Sequence, residues 1–211
     1  ANRLGGGATA SGDPGLTPFG REVLERLASQ RVIADLSHSG ERLCLDAVAA
    51  SPRPVAITHT GCRALADLRR NKTDEELRAV AERGGFVGIY FMPFLTTGRN
   101  ATLDDVVAHL EHAIHVAGED HVGLGTDTTF SAYDDMAHFK LEFAKLIAYR
   151  RETGISAAGE EPDIYPFVDE LLGPEQFRRL AARLAERGHG RSRIEKILGL
   201  NFLRFAQGVW G

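Results

Sequence analysis

Two periods alternate along the first two thirds of the chain. Short apolar runs of strand length, rich in Val, Ile and Phe, occur at "VIADLSH" (32–38), "PVAITHT" (54–60), "GFVGIYFMPF" (85–94) and "HVGLGTD" (121–127). Between them the apolar residues recur every three or four positions. "TPFGREVLERLASQR" (17–31) puts Phe19, Val23, Leu24 and Leu27 on one face, with Thr17 as cap and Pro18 in the first turn. "SGERLCLDAVAAS" (39–51) predicts a helix capped by Ser39, and "DEELRAVAERGG" (74–85) one capped by Thr73 and closed by glycines. "TLDDVVAHLEHAIHVAG" (102–118) predicts a fourth, with acidic residues in its first turn. Continuous apolar strands separated by amphipathic helices mean a parallel sheet covered by helices, which either an open doubly wound sheet or a barrel satisfies.

After Asp127 the alternation stops. Helices are expected at 135–153 and at about 166–172, 174–187 and 191–208, the last with Ile194, Ile197, Leu198, Phe202 and Phe205 as its buried stripe. "ISAAGEEPDIYP" reads as a loop. Residues 1–15 read as a glycine-rich loop without a starting Met, which is the expected appearance of a processed or truncated piece. The chain is read as a single domain over 1–211.

Composition narrows the function classes. The 211 residues are 43% hydrophobic and 26% charged, with a net charge of −4, as in an ordinary globular protein. No basic stripe with interleaved aromatics points to nucleic acid. No apolar run reaches bilayer length and no signal peptide is visible, so cytoplasmic and exported locations both stay open. Cys44 and Cys62 form no CxxC pattern and read as free thiols, although Cys62 follows His59 by three positions. A P-loop and a GxSxG elbow are absent, and Gly84, Gly85 and Gly88 do not complete a dinucleotide fingerprint.

In parallel α/β architectures, ligands sit at the carboxyl ends of the strands. Three of the four expected strands end in a group of catalytic type: His38, His59 and Asp127. Two histidines on adjacent strand ends suit one metal ion, since neutral imidazole binds zinc at about 2.0–2.1 Å. The bland reading of a single such histidine is a satisfied core residue; the recurrence in consecutive units, with an aspartate further on, favours a site. Asp127 follows "GLGT", where glycine allows close backbone approach, and a helix-cap role competes. In "RRN" (69–71), Arg69 or Arg70 is able to clamp a carboxylate, while composition alone favours a solvated arginine. His109, His112 and His115 lie on one helix without the i, i+4 spacing of a helical zinc pair, and read as surface or packing residues far from the strand tips. His121 opens a strand at its amino end and reads as structural. The pattern does not place His138 and His189.

Five segments in order, "GLTPFGREVLERLASQRVIADLSHSG", "PVAITHTGCRALADLRRN", "TDEELRAVAERGGFVGIYF", "AGEDHVGLGTD" and "KILGLNFLRF", resemble the membrane (renal) dipeptidase family of zinc peptidases over roughly residues 14–130 and 162–206. The resemblance implies a (β/α)8 TIM barrel with two Zn2+ ions at its carboxyl face and a small peptide as substrate. It matches His38 and His59 to the two histidines that hold one zinc, Arg70 to the arginine that receives the substrate's carboxylate, and Asp127 to the general acid/base. A homodimer is also consistent with it.

Two departures follow from the same comparison. The family's H-x-D motif, bridging glutamate and upstream substrate-binding histidine have no counterpart here. The chain is therefore expected to supply the carboxyl-terminal half of the barrel, with ligands for one zinc. The family's "DFDG" after the motif aspartate is replaced by "TTFSAYDD", and a helical insertion of about 135–160 precedes "DIYP". Besides a zinc dipeptidase, a related metallohydrolase of altered substrate and a non-catalytic homologue with an incomplete metal site remain open.

Overall fold

The computed structural model describes residues 1–156 and 159–211; Ala157 and Ala158, in the expected loop before "DIYP", lie outside the described residues. Three of the apolar runs pair into a parallel sheet of order β1–β2–β3, formed by Ala56–Thr60, Phe86–Ile89 and Val122–Leu124. The run 32–38 corrects the expectation of a fourth strand. It makes a single parallel bridge, Asp35 to Ala56, with Leu36 N–H donating to Ala56 O and Ala56 N–H to Ala34 O. The chain then turns, because the Asp35 carboxylate accepts from the N–H of Ser37, two residues on, which bends an extended segment. The sheet is thus open among the described residues, and its three strands do not form the closed eight-stranded barrel of the resemblance.

Helix α1 (Pro18–Ser29) starts where expected, with the Thr17 hydroxyl accepting from Gly20 N–H. Helix α2 (Glu41–Ala50) starts one residue later than expected, with Gly40 rather than Ser39 as cap. The Ser39 hydroxyl is engaged elsewhere: it donates to Leu36 O and accepts from Lys72 Nζ. Helices α3 (Asp74–Glu82) and α4 (Leu103–Ala117) both open with reciprocal capping boxes, Thr73 with Glu76 and Thr102 with Asp105. Their apolar faces, including Leu77, Val80, Val106 and Leu110, are fully buried with Ile57, Val87 and Ile89 of the sheet. Each such side chain contributes about 1.5–3 kcal/mol of burial.

Helix α5 (Met136–Glu152) matches the expected helix, while the expected helix at 166–172 is only a 3₁₀ turn, Asp169–Leu171. Helix α6 (Gln176–Glu186) packs on α4. The final helix is segmented into α7 (Arg191–Glu195), a π turn (Lys196–Leu200) and α8 (Asn201–Trp210). Phe205 and Val209 of α8 pack with Ala56 and Phe86, the first residues of β1 and β2, so α8 closes the amino end of the sheet. Phe202 stays partly exposed, its ring 5.2 Å from that of Phe86. The carboxyl end is left for chemistry. The loop 1–15 runs against the turn at His38–Gly40, with Ala8 N–H on His38 O and Gly40 N–H on Gly6 O.

Two buried polar groups stiffen this end. Lys72 Nζ bonds Ser39 O and Glu76 Oε1, tying the His38 turn to the start of α3. His109, read as a packing residue, is fully buried, but it is not remote from the strand tips. Its Nδ1 accepts from Cys62 N–H, just past β1, and its Nε2–H donates to Leu95 O, past β2. Burial pushes its pKa down from 6.5 to about 4. The unfolded chain therefore binds the proton first, and stability should fall as pH drops from 6.5 towards 4, by at most about 3 kcal/mol at roughly 1.4 kcal/mol per pH unit. Urea midpoints across that range will show this slope, and His109→Gln will flatten it. Parallel slopes in the two proteins would assign the acid sensitivity to other groups.

Candidate active site

The register of β1 places the first functional side chain. Ile57 pairs with Val87 but Thr60 pairs with Ile89, so β1 carries one extra residue at Thr58–His59. Such bulges re-aim side chains. Gly88 and Gly125 make the room: a Cβ at either would lie 2.0 or 1.7 Å from the Thr58 carbonyl oxygen. The close approach read from "GLGT" is therefore onto β1. Two residues after Gly125, Asp127 has φ +55°, a left-handed conformation that aspartate tolerates better than most residues.

His38, His59, Arg70 and Asp127 come together at the carboxyl end of the sheet. The Nε2 atoms of His38 and His59 are 3.0 Å apart, Asp127 Oδ2 is 4.0 Å from His59 Nε2, and Arg70 Nη2 is 3.3 Å from His38 Nε2. Arg70 is buried rather than solvated, its Nη1 donating to Ser37 O and its guanidinium 5.5 Å from the Tyr90 ring centroid. The Tyr90 hydroxyl in turn donates to Asn71 Oδ1. Arg69 points elsewhere, to Ala10 O. Cys62 is also turned away, its Sγ facing His109 O at 3.4 Å, and burial pushes both cysteine thiols up to about 12. Of the remaining histidines, His112 pairs with Asp74, His121 with Gly85 O and His189 with Glu111, while the backbone N–H of His138 meets the Asp135 cap.

Sequence reasoning missed the groups that orient His59. The Thr58 hydroxyl donates to Asp35 Oδ2 at 2.6 Å, and lies 2.9 Å from His59 Nδ1. The Ser37 hydroxyl donates to Asp35 Oδ1 at 2.5 Å and accepts from His59 N–H at 3.1 Å. Burial alone would raise the Asp35 pKa, but these hydroxyls and the N–H groups of Ser37 and Thr58 hold it below the ordinary value. An ionised Asp35 takes the Thr58 proton, so Thr58 Oγ1 accepts from His59 Nδ1–H. That network assigns the tautomer and leaves His59 Nε2 as a bare lone pair. His38 Nε2 faces Arg70, which only donates, so it too presents a lone pair. The two lone pairs converge. Burial lowers both histidine pKa values, with Arg70 adding to the effect, while Asp127 opposes it; both rings are therefore held neutral. The readable signal for this network was the D-x-S of "ADLSH" beside the T of "THT", a pattern without meaning until the two segments are adjacent.

Two neutral imidazoles, a fixed guanidinium and a carboxylate thus meet at the carboxyl edge of a parallel α/β layer, a set of groups able to take a cation and a carboxylate. The chain superimposes over 100% of its length on 62% of an amidohydrolase from Pseudomonas aeruginosa, with a TM-score of 0.83 and 29% identity. A metallopeptidase from Rhodobacter sphaeroides, solved with a phosphinate mimic of L-Ala-D-Ala, shares the fold at a TM-score of 0.73 and 23% identity, with half of its chain covered.

The chain belongs to the membrane dipeptidase family, peptidase family M19, whose model matches residues 4–156. Among curated relatives, an uncharacterised protein encoded in the pqqA 5′ region of Klebsiella pneumoniae is 30% identical over the whole chain, which spans 69% of that protein. Dipeptidase tcpJ of Claviceps purpurea is 29% identical over 92% of the chain, which spans 39% of that enzyme. Among the described residues, no helix is long and apolar enough to cross a membrane.

Proposed function

We propose that this chain forms one wall of a zinc-dependent dipeptidase site, on part of a (β/α)8 barrel. The observation that carries this reading is the pair of Nε2 lone pairs facing each other at 3.0 Å, that of His59 bare and that of His38 met by Arg70 at 3.3 Å. Such a pair is repulsive by itself and is satisfied by a cation. Two imidazoles on a tetrahedral zinc stand about 3.3 Å apart, close to the separation here. His38 and His59 would hold the ion. The described residues contain no group of three or more His, Cys, Asp or Glu side chains able to hold a metal. We assign the remaining ligands, and a second zinc, to other parts of a longer protein.

When bound, the metal supplies Lewis acidity towards a carbonyl and makes water more acidic. The residues of this chain do the rest. Arg70, fixed by Ser37 O and the Tyr90 ring, receives the carboxylate of a short substrate and sets the scissile carbonyl over the histidine pair. Asp127 stands 4.0 Å from His59 Nε2, too far for a direct hydrogen bond, leaving a place for the attacking water. Its carboxylate takes the water's proton and passes it to the leaving amine.

In the full-length protein, free dipeptides should be hydrolysed and their carboxyl-terminal amides spared, with activity lost to a chelator and restored by zinc. A zinc-loaded protein that leaves every dipeptide intact would favour a related metallohydrolase, the reading that the altered "TTF" after Asp127 supports.

The Thr58 hydroxyl should act through His59. Thr58→Val will release the Nδ1 proton from its acceptor and weaken metal binding by about 10–100-fold, and Thr58→Ser will restore it. Nitrogen NMR of the His59 ring and a metal titration check both points; an unchanged tautomer and affinity would make Thr58 structural only.

A further inference from the structure

Beyond Asp127 lies a cavity of about 450 Å³ whose walls are Met92, Tyr133, Pro166, Phe167 and Leu172. Thr128 and Thr129, directly after Asp127, form its polar edge; among the described residues that line it, Asp127 is the one carboxylate and none is Lys, Arg or His. The walls are braced from behind. The Tyr133 ring lies 4.0 Å from Phe139 of α5 and 5.4 Å from Phe167, and Phe139 lies 5.5 Å from Phe167, centroid to centroid. The departing "TTFSAYDD" segment therefore supplies Thr128, Thr129 and Tyr133 to the lining, Phe139 of α5 backs it, and Met92, Pro166, Phe167 and Leu172 come from stretches that follow the resemblance.

The order of groups across the site says what would enter it. Arg70 neighbours His38 at 3.3 Å, His38 neighbours His59 at 3.0 Å, and His59 neighbours Asp127 at 4.0 Å. Arg70 and Asp127 are the two ends of this row. Two residues of extended peptide cover about 7 Å, and a hydrogen bond of about 3 Å from the carboxylate to Arg70 extends that reach to the length of the row. With the carboxylate on Arg70 and the scissile bond over the histidines, the amino-terminal residue lies at the Asp127 end, beside the cavity.

We propose that this cavity is the specificity pocket for the amino-terminal residue of the dipeptide, and that it selects a large apolar side chain such as leucine, methionine or phenylalanine. The assignment rests on the dipeptidase reading given above. Apolar walls gain from burying such a side chain, whereas an acidic one would meet the Asp127 carboxylate with no cation lining the cavity to offset it.

The test is kcat/KM of the full-length enzyme on two dipeptide series. In one, the amino-terminal residue is Gly, Leu, Phe, Lys or Asp before a constant glycine; in the other, the same residues follow a constant glycine. Leu and Phe should exceed Gly and Asp by about tenfold or more in the first series, with a smaller spread in the second. Tyr133→Ser should bring the Leu-to-Gly ratio towards one. Leu172→Asp, a partly exposed position, should shift preference towards Lys. A flat first series, a preference for Asp, or a selectivity confined to the second series would overturn the pocket while leaving the dipeptidase reading intact. Turnover of no dipeptide in either series would remove both.

Discussion

His59→Ala is expected to abolish hydrolysis and to remove at least one metal ion per chain from the full-length protein. The substitution deletes one of the two imidazole lone pairs that converge at the carboxyl end of the sheet. His38 alone cannot compensate, because its Nε2 then faces only the Arg70 guanidinium. The fold should survive. The Asp35 carboxylate keeps its bonds from Ser37 Oγ, Ser37 N, Thr58 N and Thr58 Oγ1, none of which involves the His59 side chain. One hydrogen bond, Nδ1–H to Thr58, is lost, a cost of about 1 kcal/mol. Metal analysis of the purified variant, alongside urea unfolding, separates the two effects. His115→Asn, on the exposed face of α4, is the control and should retain both metal and turnover. Full metal occupancy with normal turnover in His59→Ala would sink the assignment. Loss of the folded state would show that the imidazole serves packing instead.

The parts of the molecule that were legible in the sequence are those set by local physics. Thr17, Thr73 and the acidic first turn of 102–118 marked helix starts because caps act within four residues, and those helices begin where expected. The apolar runs at 54–60, 85–94 and 121–127 became β1, β2 and β3 because burial on both faces demands such runs. The run 32–38 has the same composition and failed. Its extension depends on pairing, and the Asp35 carboxylate captures its own downstream N–H and turns the chain after one bridge.

Ser39 looked like a cap, but its hydroxyl was taken by a carbonyl and a lysine distant in sequence. The site was half legible for the same reason. That His38, His59 and Asp127 share one edge follows from strand direction, and the structure places them there. That Arg70 is buried against Tyr90 and Ser37 O, and that Asp35 and Thr58 fix the His59 tautomer, depends on a bulge in β1 and on contacts between segments. No local pattern encodes those.

Asp127→Asn should leave metal content and dipeptide binding near wild type and lower kcat by about 10²–10⁴-fold, the usual worth of a positioned acid/base. The choice of asparagine matters. Asp127 sits at φ +55°, where asparagine is tolerated but alanine or a branched residue would add strain. Asp127→Ala would therefore confound lost chemistry with a displaced loop, including Thr128 and Thr129 at the edge of the cavity. Asparagine keeps the shape and one acceptor oxygen, and removes the negative charge and with it the capacity to accept and return a proton. Because the carboxylate is 4.0 Å from His59 Nε2 and exposed, its loss should not change how the histidines are held. The defect should then appear in kcat with KM little changed, the signature of an interaction made only in the transition state. A fall confined to KM would make Asp127 a substrate-positioning residue, and an unchanged kcat would remove it from the proton transfer.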